Sequence, residues 1–298
     1  MVPSGSGLRW ERVIVNDISL VISDVDGTLV TPDKRLTDAS VRAVRLLRER
    51  GIDFTVNSSR PPMGIRMLIE PLSLRLPIGT FNGGAIVGPR LDVIERHVVP
   101  ESAARRSLDV LASFKIDIWL FTTDDWLVCN PRGDYVPQER HAIQTEPSTV
   151  ADFDPYLGRA SKVVGSSTDF ARLAECEAVL RKELHGQASV ARSQPYYLDI
   201  TAPNLDKGTF VDCLSNQLGV SRDAIAVLGD MENDLAMFGK AGLSIAMGNA
   251  SIDVKRQASY VTASNAEDGF ALAIEQYILN EARELHEPAR DRALHSRR

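Results

Sequence analysis

The chain has 298 residues, 44% of them hydrophobic and 25% charged, an ordinary globular composition for one large domain or two smaller ones. Its net charge of −6 gives no support to a nucleic-acid partner, because phosphate backbones are bound by clustered Lys and Arg. A small phosphorylated partner stays open, since local cations and a metal matter more there than global charge.

Residues 1–9 read as a flexible leader without the basic-then-apolar order of a signal peptide. No apolar run reaches the ~20 residues of a membrane span, so the cytoplasm is the expected location and no membrane partner is expected. The apolar run Ile18 to Ser23 is expected as a buried strand. Thr37 or Asp38 can cap a helix with Val41, Val44 and Leu47 on its apolar face, and Gly51 is its natural stop. Ile52, Phe54 and Val56 alternate as a strand, a helix falls within 62–72, and Pro77 to Phe81 is another strand. This βαβαβ order points to a parallel sheet covered by helices.

The middle reads differently. Residues 115–130 suggest a strand, a turn at Asp124–Asp125 and a second strand. Trp119 and Trp126 flank that hairpin and are expected in its core. Thr168 can start a helix running to about Gly186, followed by strands at 187–192 and 196–201. Alternation then resumes: a helix over Lys207 to Leu218, a strand over Ala224 to Leu228, and a helix over Asn233 to Lys240. Strands over Leu243 to Met247 and Tyr260 to Thr262 precede a last helix over Gly269 to Leu279. The charged stretch 281–298 has no apolar stripe and reads as a flexible terminus. The simplest parse is an α/β core over 10–86 and 201–280, split by an α+β insert at 87–200.

Chemistry-bearing residues collect at strand ends. Asp24 and Asp26 lie two apart where the first strand breaks into Gly27, at the sheet edge where ligands bind in open α/β folds. A second acidic cluster, Asp230, Glu232 and Asp234, follows the strand ending at Leu228. If the two strands are neighbours, Asp24, Asp26 and Asp230 converge and need a cation, because like charges repel strongly at low dielectric. Oxygen ligands without His or Cys favour Mg²⁺, with Mn²⁺ or Ca²⁺ as alternatives. One of Asp230 or Asp234 could instead only cap a helix. Ser58 and Ser59 follow the second strand and could hold an anion, and Lys207 opens a helix after the insert. Cys129, Cys176 and Cys213 are too scattered for a disulfide framework or a zinc site, and the five histidines show no metal or triad spacing.

DVDGT, a Ser before SRP, a Lys, and GDMEND occur in this order at the ends of successive core elements. The set resembles the haloacid-dehalogenase-like (HAD) phosphohydrolases, in particular their Cof-type sugar-phosphatase branch. Asn82-Gly83-Gly84-Ala85, AMGNA (Ala246 to Ala250) and VTASN (Val261 to Asn265) are further matches, and the resemblance spans about 17–280. It implies a Rossmann-like parallel-sheet core with an inserted Cof-type cap that closes over the site. It also implies a magnesium-dependent phosphatase acting on small phosphate monoesters, sugar phosphates first, through an aspartyl phosphate. By the resemblance Asp24 is the nucleophile and a metal ligand. Asp26 is the general acid/base and binds metal through its carbonyl. Ser58 and the Ser59 amide hold phosphate, and Lys207 neutralises it. Asp230 binds Mg²⁺ with support from Asp234, and Asn233 contacts phosphate. Ser58-Ser59 stands where the family usually has Thr-Gly, which keeps the hydroxyl but adds a side chain at the phosphate approach. Asp26, its proton retained by the acidic cluster, would protonate a leaving alkoxide, which favours phosphatase or phosphomutase chemistry over C–halogen cleavage. The alternatives are a sugar phosphomutase or phosphotransferase on the same core, or a non-catalytic ligand-binding protein.

Overall fold

The computed structural model describes residues 18–279, so the leader expected at 1–9 and the tail expected at 281–298 lie outside the described residues. In chain order the first elements are β1 (Leu20–Ser23), α1 (Asp38–Glu49), β2 (Asp53–Val56), α2 (Arg66–Leu72), β3 (Ile78–Thr80), β4 (Ala85–Val87) and β5 (Val93–Arg96). The middle contributes α3 (Glu101–Ser113), β6 (Asp117–Phe121), β7 (Trp126–Val128), α4 (Val136–Ile143), β8 (Ser148–Thr149), β9 (Lys162–Ser166), α5 (Phe170–Glu183), β10 (Ser189–Gln194) and β11 (Tyr197–Thr201). The last part holds α6 (Lys207–Leu218), β12 (Ile225–Gly229), α7 (Leu235–Phe238), β13 (Leu243–Ala246), α8 (Ile252–Lys255), β14 (Tyr260–Val261) and α9 (Gly269–Ala273), which runs on as a π turn over Ile274–Ile278.

The core sheet is parallel in the order β14-β13-β12-β1-β2. β1 is its centre, and all its residues are buried because both faces are covered. Val21 packs with α1, α2 and α9 through Val44, Leu68 and Phe270, while Leu20 and Ile22 pack with α6 and α7 through Phe210, Leu214 and Met237. Thr37 caps α1, its side chain accepting from the Ser40 N–H, and Gly51 takes a positive φ of 73° just past the helix. No described helix is long and apolar enough to cross a membrane.

The third strand of the expected βαβαβ run departs from plan. β3 runs beside the end of β2 through the parallel bridge of Asn57 to Gly79 and the Ser58 N–H donating to the Gly79 carbonyl, but its ladder is antiparallel with β4, which pairs with β5. This small sheet leads the chain out of the core.

The insert carries a second sheet in the order β10-β11-β9-β6-β7-β8, antiparallel except for β7 with β8. α3 and α5 cover one face through Leu111, Leu173 and Leu180. Trp119, Phe121, Trp126, Val164 and Tyr197 line the other face, packed with Phe81 from the core and Val136 and Ile143 of α4. Both tryptophans are core residues, with ring centroids 5.4 Å apart. Period-two alternation turns Lys162 and Val164 of β9, and Tyr197 and Asp199 of β11, to the face that meets the α/β core. Asp169, not Thr168, caps α5, its side chain accepting from the Arg172 N–H.

Candidate active site

Parallel pairing sets the site. Ser23 lies level with Leu228 of β12 and Val56 of β2, so the residues after all three strands emerge at one sheet edge. The Asp24 N–H donates to the Leu228 carbonyl at 2.9 Å and the Asn57 N–H to the Ser23 carbonyl at 2.9 Å. Gly27 has a φ of 88°, and a Cβ there would collide with the Asp230 carboxylate. Glycine is thus required both for the turn and for the approach of the two acidic loops.

Asp24, Asp230 and Asp234 are all buried and place a carboxylate oxygen each within 4.8 Å of one another. Lys207, 1% exposed at the start of α6, threads into this cluster and donates to Asp24 and, at 2.6 Å, to Asp234. Its capping Asp206 accepts from the Thr209 N–H and so fixes the helix start that aims it. Asp234 also accepts from the backbone N–H groups of Asp230 and Met231, each at 2.9 Å. It therefore braces its loop and holds Lys207. Asp230 accepts from Thr28 at 3.4 Å and from the Asn249 amide at 3.1 Å.

Burial pushes the Asp24 carboxyl up to about 7, against the pull of Lys207 and with repulsion from Asp234 and Asp26. Asp230 is also raised, by burial and then by Asp24 and Asp234. Lys207 is raised despite its burial, because Asp234 and Asp24 hold the ammonium form. Hard oxygen ligands with unfavourable charge density, and no His or Cys in the group, fit a divalent cation such as Mg²⁺.

Asp26 is the main departure. Its carboxylate turns away from the cluster to Arg60, which donates from Nε at 2.7 Å and Nη2 at 2.9 Å, and to Lys34 at 2.8 Å. Burial works to raise it, but the two cations prevail and hold it well below the ordinary carboxylate range. The expectation that the acidic cluster keeps Asp26 protonated is thus corrected: its neighbours are cations, and they favour the ionised form.

The Ser58 hydroxyl accepts from the Arg60 N–H at 3.1 Å, which leaves its own proton to donate, and the Ser59 N–H has no partner among the described residues. Asn233 donates to Asn82 at 3.0 Å. Asn82 in turn donates to Asp199 of the insert at 3.2 Å. Lys162, 4% exposed, donates to the Ser59 carbonyl at 2.9 Å and to Asp199 at 3.3 Å. Lys162 and Asp199 thus tie the insert to the phosphate-side loops. Sequence reading missed them, and the alternation of β9 and β11 was the signal that could have shown their shared face. Cavities lined by described residues border the site. A groove of about 790 Å³ between core and insert reaches Lys207 and Asn233 but neither Asp24 nor Asp26, whereas a small pocket of about 20 Å³ is lined by Asp26 itself.

A family model described as haloacid dehalogenase-like hydrolase matches residues 21–274. A Haemophilus influenzae protein assigned as a phosphatase is 30% identical over 257 residues, 86% of this chain and 97% of that protein. The 5-amino-6-(5-phospho-D-ribitylamino)uracil phosphatase YcsE of Bacillus subtilis is 27% identical over 264 residues, 88% of this chain and 97% of its own. The crystal structure of a haloacid dehalogenase-like hydrolase from Bacteroides thetaiotaomicron superposes with a TM-score of 0.77 at 28% identity, over 87% of this chain and 99% of that one.

Proposed function

The chain belongs to the haloacid dehalogenase-like hydrolases, and on that premise we propose that it is a Mg²⁺-dependent phosphatase of small phosphate monoesters, sugar phosphates first, acting through an aspartyl phosphate on Asp24. The observation that carries this reading is the buried Lys207 held between Asp24 and Asp234, with Asp230 alongside. A carboxylate attacks a dianionic phosphate only where charge is cancelled. Lys207 orients Asp24 and supplies part of that cancellation. Asp24 and Asp230, with the Asp26 carbonyl and support from Asp234, would hold the cation, whose charge stabilises the transferring phosphoryl group when bound. The Ser58 hydroxyl, the Ser59 N–H and the Asn233 amide would bind the phosphoryl oxygens.

In the first step an Asp24 oxygen attacks phosphorus in line, the ester P–O bond breaks, and an acyl phosphate forms. In the second step Asp26 takes a proton from water, the water oxygen attacks phosphorus, and Asp24 and inorganic phosphate are released. The ionised state that Arg60 and Lys34 impose suits Asp26 to this second step. To protonate the leaving oxygen in the first, it must be freed from them. An arriving phosphate dianion draws on the same cations, and without them burial, the largest influence on Asp26, raises its carboxyl above the ordinary value, so that it can hold the proton it gives to the leaving oxygen. The insert, taken as 87–200, acts as a cap that excludes bulk water and meets the non-phosphate part of the substrate. The B. subtilis relative, by name a phosphatase of a phosphoribityl compound, supports a phosphorylated metabolite as substrate.

The test is phosphate release from an aryl phosphate and a panel of sugar phosphates, with Mg²⁺ or EDTA, for wild type and Asp24→Asn. Metal-dependent release that vanishes in the variant is expected. A lasting phospho-enzyme without free phosphate would point to phosphotransfer, and no release from any compound by folded, metal-loaded protein would refute the reading.

A further inference from the structure

On the reading that a divalent cation sits between Asp24 and Asp230, we infer that Asn249 is a positioning residue of that metal site: its amide clamps the two loops that supply the ligands and sets the Asp230 carboxylate for the ion.

Asn249 lies in the loop after β13, within AMGNA, a stretch with no part in the two chemical steps. This loop is anchored at its start, where the Met247 N–H donates to the Gly229 carbonyl at 3.0 Å and the Gly248 N–H to the Ala263 carbonyl at 2.9 Å. Both polar atoms of the Asn249 side chain are engaged. Its Nδ2 donates to the Gly27 carbonyl at 2.9 Å and to Asp230 at 3.1 Å, and its Oδ1 accepts from the Asn265 N–H at 3.0 Å. An amide nitrogen carries two protons, so these bonds use both and admit one orientation of the side chain. Asn265, within VTASN, is buried and donates to the Val30 carbonyl at 2.8 Å.

The two acceptors give this clamp its meaning. Gly27 belongs to the loop that starts at Asp24, one peptide beyond the Asp26 carbonyl, whereas Asp230 belongs to the loop after β12. One amide nitrogen therefore joins both loops where the cation would sit. Lys207 holds Asp24 and Asp234, but neutral donors hold Asp230: Asn249 on one oxygen and, at a longer 3.4 Å, the Thr28 hydroxyl on the other. A carboxylate gripped in this way has its rotation fixed before the ion arrives, and the hydrogen-bond partners of metal ligands govern metal affinity. Asn249 itself is exposed, where water could satisfy a surface amide, so packing does not require it. Asn265 differs. Its side chain supports the loop after β1 through Val30 and makes no hydrogen bond to the acidic cluster among the described residues.

The experiment titrates Mn²⁺, a paramagnetic stand-in for Mg²⁺, into the full chain without substrate and reads the free ion by electron paramagnetic resonance, for wild type, Asn249→Ala and Asn265→Ala. Urea unfolding in EDTA runs alongside. Asn249→Ala should weaken Mn²⁺ binding about ten- to hundredfold, the usual cost of losing a partner of a metal ligand. Its phosphate release should need correspondingly more Mg²⁺, with kcat recovering once the metal saturates. Asn265→Ala leaves the buried Val30 carbonyl without its donor, so it should lower the urea midpoint yet keep Mn²⁺ affinity within about threefold of wild type. Asn249→Ala that binds Mn²⁺ as wild type does, or equal losses of affinity in the two variants, would overturn the inference. Wild type that binds no Mn²⁺ would instead overturn the metal reading, and this inference with it.

Discussion

Replacing Asp24 with asparagine should stabilise the metal-free protein at neutral and alkaline pH while removing its activity. The Asp24 carboxyl is raised from 3.8 to about 7 in the folded chain, chiefly by burial. Below pH 4 it is protonated folded or unfolded and costs nothing extra. As pH rises towards 7 the unfolded chain ionises it freely while the folded chain resists, so stability falls through this window and is flat above it. At about 1.4 kcal/mol per tenfold change, the full difference is about 4 kcal/mol. Asparagine keeps the shape without the charge, and Lys207 keeps Asp234 as partner at 2.6 Å. Urea unfolding in EDTA should therefore show Asp24→Asn near wild-type stability at pH 4 and more stable by up to about 4 kcal/mol at pH 8. Mg²⁺ should erase the gap by stabilising wild type alone. A pH-independent difference, or wild type more stable than the variant at pH 8 in EDTA, would refute this account of Asp24.

Two further substitutions test the supporting contacts. Lys162→Met leaves the Asp199 carboxylate buried and the Ser59 carbonyl without its donor, so it should cost about 3–5 kcal/mol. Adding Asp199→Asn should recover part of that loss in thermal melts, whereas additive losses would deny the ion pair. Arg60→Met removes the bidentate partner of a depressed carboxylate. Its destabilisation should be largest above pH 4, where Asp26 is ionised in both states, and shrink as pH falls further. A loss that is constant from pH 3 to pH 8 would contradict the assignment.

The core was legible because β1 and β12 are buried on both faces and read as unbroken apolar runs ending in Asp24 and Asp230. Parallel strands bring their C-terminal ends to one edge, so the convergence of Asp24 and Asp230 was expected if β1 and β12 were neighbours, and their pairing makes them so. The insert was harder to read. The buried face of α3 is Ala103, Ala104, Ser107, Val110 and Leu111, too small and polar for a clear helical stripe, and the sequence reading passed over it. β9 is wholly buried yet opens on Lys162, which masks it as a strand. The partners of Asp26 were the deepest omission. Lys34 lies on the loop after β1 and Arg60 on the loop after β2, and no spacing rule joins them to Asp26. Only the packed structure shows that the second carboxylate of the pair lives among cations.

The most direct test of the central claim is to quench the enzyme during turnover of a sugar phosphate with Mg²⁺ and map the phosphoryl group by mass spectrometry. The account predicts an acid-stable, hydroxylamine-labile phosphoryl group on the peptide carrying Asp24, absent in Asp24→Asn. Sustained phosphate release with no phosphoryl group on Asp24 at any quench time, or with one on another residue, would contradict it.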